Sequence, residues 1–197
     1  MKPIFDNGHG GKINGVYQTP GKRSPNWENG ILYEGNFNRW VVNRLIEKMD
    51  RLDLPYYHVS PEIIDVSLNE RVKRANEIYS KDKDVYFISI HANAGGGIGI
   101  EAFTSKGKTK SDEIAELFLK NLESDMKGLA TMRFDLTDGD RDKEENFQVI
   151  KSTNCPALLI ECGFMDNRSD YNKLWSHDYI NKLTESIFGT ILELNKK

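Results

Sequence analysis

The 197-residue chain has only two cysteines, Cys155 and Cys162. Two cysteines make no disulfide framework, and their spacing is not the CxxC of a zinc knuckle, so both read as buried small hydrophobes. No apolar run approaches the roughly 20 residues that cross a bilayer. The opening MKPIFDNGHG lacks the apolar segment of a signal peptide. The expectation is therefore a mature or trimmed form, or a protein released without a leader. Basic runs are no longer than pairs such as Lys196-Lys197, and the formal net charge is −3. That balance argues against nonspecific nucleic-acid binding as the main task. Repeats, low-complexity segments and linkers are lacking too. One domain over residues 1–197, with no appended binding domain, is expected, and a monomer.

What is there has an ordinary globular balance, 38% hydrophobic and 29% charged. Residues 3–6 read as a strand, 10–33 as a Gly/Pro/Asn-rich loop and 34 onward as a helix with Phe37, Val41, Leu45 and Met49 at helical spacing. Residues 54–60 read as a second strand and 67–82 as a helix that Ser67 caps, with Glu70 completing a capping box. Val85–Ile90 is a continuous apolar run, as a strand buried on both faces requires. A strand near 97–105, a helix over 109–127 and a charged loop over 135–146 follow. Residues 147–152 read as a short strand or turn, 157–160 as another buried strand and 178–195 as an amphipathic helix. This alternation predicts an α/β fold: a mostly parallel twisted sheet of about six strands with helices on both faces.

In such sheets, sites form beyond the carboxyl ends of the strands. His9, His91 and Glu161 each follow an apolar strand, and Glu34 begins a helix whose N-terminus belongs at the same edge. Two imidazoles and a carboxylate make a catalytic zinc set with one position left for water. On this reading His9, Glu34 and His91 hold the metal, and Glu161 takes a proton. Each residue alone also has a structural reading. A strand-end histidine is commonly hydrogen-bonded, Glu34 could simply favour the helix dipole, and Glu161 could cap a turn or pair with an arginine. Topology leaves both readings open. His58 and His177, the other two of four histidines, read as structural.

The motifs carry a resemblance. DNGHGG, Glu34 with Asn38, Arg71 with Ala75-Asn76, SIHANA (89–94), GIEAF and PALLIECGFMDN appear in one order between about residues 4 and 167. In this the chain resembles the zinc-dependent N-acetylmuramoyl-L-alanine amidases of the amidase 3 family. The resemblance implies one zinc ion on His9, Glu34 and His91, with Glu161 as the catalytic carboxylate. It also implies peptidoglycan as substrate, cut at the amide between N-acetylmuramic acid and L-alanine in the cell wall or periplasm. An endolysin released by lysis fits the missing leader. The alternatives are another zinc-dependent amide hydrolase, such as a stem-peptide peptidase, and a non-catalytic wall-binding module. Two departures from the family pattern stand out: Asn7 takes the place of a proline, and the 12–33 loop is long.

The candidate substrate contacts are Asn93, Arg71 and Trp27. Asn93 shares a strand face with His91 and would bond either a peptide carbonyl or the ligand loop. Arg71 would serve in a salt bridge or a helix-to-loop contact. Trp27 would stack on sugar rings or pack on the sheet edge.

Overall fold

Consecutive residues of a strand point to opposite faces, so an unbroken apolar run needs cover on both. In the computed structural model, which describes residues 1–196, two such runs form the centre of the molecule. In chain order the elements are β1 (Lys2–Asp6), β2 (Lys12–Ile13), β3 (Val16–Tyr17), α1 (Glu34–Arg51), β4 (Tyr57–His58), α2 (Leu68–Lys81) and β5 (Val85–Asn93). Then come β6 (Glu101–Thr104), α3 (Lys110–Asp125), β7 (Lys143–Glu144), α4 (Gln148–Lys151), β8 (Ala157–Phe164), α5 (Arg168–Trp175) and α6 (His177–Asn195). Six strands form one sheet in the order β4-β1-β5-β8-β6-β7, and β2 and β3 make a separate two-stranded hairpin. All neighbours in the large sheet run parallel except β6 and β8. The α/β architecture expected from the alternation is the one observed.

The two faces are unequal. Ile88, Ile90, Leu158 and Ile160 point into the larger core with Phe37, Val41 and Leu45 of α1, Phe118 of α3 and Leu183 and Ile187 of α6. Val85, Phe87, Ala157 and Leu159 point the other way, into a smaller cluster with Ala75 of α2 and Val149 and Ile150 of α4. On that thinner face α2 is accompanied only by the four-residue α4. The carboxyl ends of β1, β5 and β8 therefore lie open on that side.

Several expected boundaries shift. Pairing with β1 covers only Tyr57–His58 of the predicted 54–60 strand. Residues 148–151, expected as strand or turn, form α4, because Val149 and Ile150 turn together onto the sheet. The 12–33 loop contains the β2–β3 hairpin, and the segment after Asn167 forms α5, capped by the Asn167 side chain. At α2, Ser67 accepts from the Glu70 N–H, but the Glu70 carboxylate turns to Arg74 instead of closing the capping box. The sequence reading also missed the capping box of Thr109 and Asp112 that starts α3.

Candidate metal centre

His9 lies three residues beyond β1 and adopts φ 65°, a left-handed conformation that costs a non-glycine residue energy. Its neighbours make the turn possible. A Cβ at Gly8 would run into the His91 ring, and one at Gly35 would run into the Gly10 carbonyl. The first approach sets the His91 ring of β5 against the turn, and the second seats the N-terminus of α1 on it. The Asn38 amide donates to the Gly8 carbonyl at 2.9 Å, and Arg39 donates to the His9 carbonyl at 2.9 Å. The hairpin adds a third hold, since the Gly35 N–H donates to the Tyr17 hydroxyl at 2.9 Å. Burial is the main cause that pushes the Tyr17 phenol up to about 12. These bonds fix His9 relative to Glu34.

Glu34, the first residue of α1, is buried, and its Oε1 lies 3.2 Å from His9 Nε2 and 2.9 Å from His91 Nδ1. Burial alone would raise its pKa, but the bonds from His9 and His91 outweigh it and hold the carboxyl well below its usual range. The His9 and His91 rings meet edge to face with centroids 5.0 Å apart. One ligand atom from each of His9, Glu34 and His91 lies within 4.8 Å of the others. Two imidazole nitrogens and a carboxylate at such separations are a donor set that fits a divalent metal.

His91 and Glu161 are not at strand ends, as the sequence suggests, but on β5 and β8 two and three residues before the ends. They are direct register partners on the thin face of the sheet. Behind His91 runs a buried chain. Ser89 donates to Asp6 Oδ2 at 2.6 Å, so its oxygen is left to accept from His91 Nε2 at 3.0 Å. That pattern puts a proton on Nε2 and turns Nδ1 toward Glu34. Glu161 stands apart, with a buried Oε2 that finds no hydrogen-bond partner among the described residues. Burial first, and then the carboxylates of Glu34 and Glu101, push its pKa well above the ordinary value, and Lys22 pulls the other way. These groups line a cleft of about 780 Å³ whose walls include Lys22, Asp65, Leu68, Phe147 and Val149.

The other sequence candidates separate. Arg71 is fully buried at the cleft wall and engaged at every nitrogen: with Asp6, with Asp65 at 3.2 Å and with the Val66 carbonyl at 2.8 Å. Asn93 lines the cleft, but its amide donates to Glu101 Oε1 at 2.6 Å and its oxygen accepts from the Ala94 N–H. A bulge between His91 and Asn93 breaks the simple two-residue repeat. Trp27 does not line the cleft. It packs edge-on against Tyr171 with centroids 4.9 Å apart, under the Arg168 guanidinium. His58 is held by Asn7 at 2.6 Å.

The sequence reading passed over Glu101. This buried carboxylate pairs with Glu161 across β6 and β8 and is neutralised by Arg133 at 2.7 Å and Lys143 at 2.5 Å. A charge inside the strand-like GIEAF was the available signal.

The model of the family described as N-acetylmuramoyl-L-alanine amidase matches residues 4–193. The N-acetylmuramoyl-L-alanine amidase CwlM of Bacillus licheniformis is 37% identical over 123 residues, 60% of this chain and 42% of that protein. The uncharacterized protein YqiI of Bacillus subtilis (strain 168) is 30% identical over 195 residues, 95% of this chain and 81% of that one. The crystal structure of an N-acetylmuramoyl-L-alanine amidase from Clostridium difficile 630 superposes with a TM-score of 0.78 at 26% identity, covering 100% of this chain and 97% of that one. The chain spans less than half the length of the first curated relatives it matches.

Proposed function

The chain belongs to the N-acetylmuramoyl-L-alanine amidase family, and from that premise we propose that it is a zinc-dependent hydrolase of peptidoglycan. The bond cut is the amide between the lactyl group of N-acetylmuramic acid and L-alanine of the stem peptide. One observation carries the reading: a compact His9–Glu34–His91 donor set lies beside the unpartnered Glu161 carboxyl in an open cleft.

His9, Glu34 and His91 are the residues that would hold the zinc ion. When bound there, the ion polarises a carbonyl and lowers the pKa of water to about 7. Glu161, one strand over from His91, accepts a proton from the water that attacks the lactyl carbonyl. It then returns that proton to the departing alanine nitrogen as the C–N bond breaks. The Asp6–Ser89 chain keeps the His91 ring in one tautomer and one orientation. Glu101 is engaged by Arg133 and Lys143, so proton transfer falls to Glu161. Asn93 supports this arrangement by holding Glu101 and the turn after β5. The work takes place at the cell wall, and no helix among the described residues is long and apolar enough to cross a membrane.

Digestion of purified peptidoglycan with mass analysis tests the reading. The expected products are intact stem peptides with a free L-alanine amino terminus and uncut glycan strands. New reducing sugar ends would make it a glycosidase, and shortened peptides still joined to glycan would make it a peptidase.

A further inference from the structure

Lys22 stands on the cleft wall in the long loop before α1. Its backbone is held on both sides: the carbonyl accepts from the Glu34 N–H at 3.0 Å, and its N–H donates to the Thr19 carbonyl at 3.2 Å. The next residue, Arg23, bridges to Tyr33. The position is therefore tied to the first residue of α1, which carries one of the candidate ligands. The side chain itself is exposed. The other lysine or arginine on the cleft wall, Arg71, is taken up by Asp6 and Asp65, whereas Lys22 has no ion pair among the described residues.

The surroundings make that free cation selective. Of the acids on the cleft wall, Glu34 is taken up by His9 and His91 and Asp65 by Arg71, and Leu68, Phe147 and Val149 offer only apolar contact. The backbone bond to Glu34 places Lys22 beside the candidate metal ligands, and so beside the amide that the site would cut. N-acetylated sugars are neutral, and the anionic groups of the substrate are the carboxylates of its peptide.

We propose that Lys22 is a specificity-determining residue whose ammonium receives a carboxylate of the stem peptide beside the scissile amide. This rests on the amidase reading. A charge-assisted contact of this kind is strong enough to separate an acid from its amide by roughly 10-fold or more.

The test uses two soluble N-acetylmuramoyl-L-alanyl peptides that differ only in a free carboxylate or a carboxamide on the residue after alanine. The zinc-loaded wild type is expected to prefer the acid. Lys22→Gln should lose roughly 10-fold in kcat/KM on the acid, mainly through KM, and little on the amide. Lys22→Arg should restore most of the preference. Equal losses on both substrates would mean that Lys22 acts through Glu161 or the fold, and would overturn the proposal, as would no loss on either. If the wild type cleaves neither peptide nor whole peptidoglycan, the amidase reading fails, and the Lys22 proposal with it.

Discussion

Arg71 has a buried guanidinium whose Nη1 meets Asp6, itself only 1% exposed. Asp6 also accepts from Ser60 at 2.7 Å and from Ser89 at 2.6 Å, and Ser89 in turn holds His91. Arg71→Met keeps much of the side-chain volume and removes the charge. It leaves a buried carboxylate with two hydroxyl donors and no cation, a class of change that costs about 3–5 kcal/mol. For a chain of this size each kcal/mol lowers Tm by roughly 2–4 °C, so the expected fall is about 6–20 °C. The partner variant Asp6→Asn/Arg71→Met removes both charges and should be more stable than Arg71→Met alone, because no buried charge is left uncompensated. Urea unfolding of all four proteins in the cycle, at one fixed zinc concentration, reads the coupling directly, since bound metal stabilises the folded state. The same samples are assayed for cleavage. Arg71→Met within about 1 kcal/mol of wild type, yet strongly impaired in cleavage, would refute this account and restore Arg71 as a substrate contact.

Metal analysis of the purified protein should find close to one zinc per chain. His9→Ala or His91→Ala should empty the site, and full activity of metal-free protein in chelator would refute the assignment. Glu161→Gln should retain zinc and lose roughly 100- to 10,000-fold in rate; loss of the metal instead would exchange its role with that of Glu34. Asp142, outside the cleft lining on the loop before β7, is pushed up to about 7 by burial and then by Asp140 and Asp112, against the hydrogen bond from Thr104. A folded-state pKa above the unfolded value gives stability that is complete below about pH 4 and lost as pH rises toward 7. Asp142→Asn should therefore flatten the stability profile across that window and gain on wild type at pH 8; an unchanged profile would contradict the shift. Trp27→Ala should lower Tm and leave cleavage of a small muramoyl peptide intact, because Trp27 packs on Tyr171 outside the cleft; lost cleavage at unchanged Tm would make it a substrate contact.

Local sequence was sufficient wherever a signal spans several residues. The runs Val85–Ile90 and Ala157–Ile160 demand cover on both faces and so declare central strands. The spacing of Phe37, Val41, Leu45 and Met49 declares α1. His9 among glycines, and His91 and Glu161 directly after apolar runs, stand out because such positions are rarely polar without a task. A four-residue helix such as α4 is too short to show a period, so residues 148–151 could not be told from a strand or turn. The exact strand ends were also out of reach, since pairing past His91 and Glu161 depends on the neighbouring strand.

Tertiary structure decided which charges are spent and which remain free. Arg71 and Asp6 are 65 positions apart, and nothing near either names the other as its partner. Glu101 is neutralised by Arg133 and Lys143 from two later segments, while Glu161, paired directly opposite it, is left with an open oxygen. Which face of the sheet carries the cleft follows from the thin cover of α2 and α4, and so from how helices pack rather than from any motif. Periodicity and residue type report what a segment requires of its surroundings. Pairing of buried charges depends on distances across the fold, which only the packed chain defines.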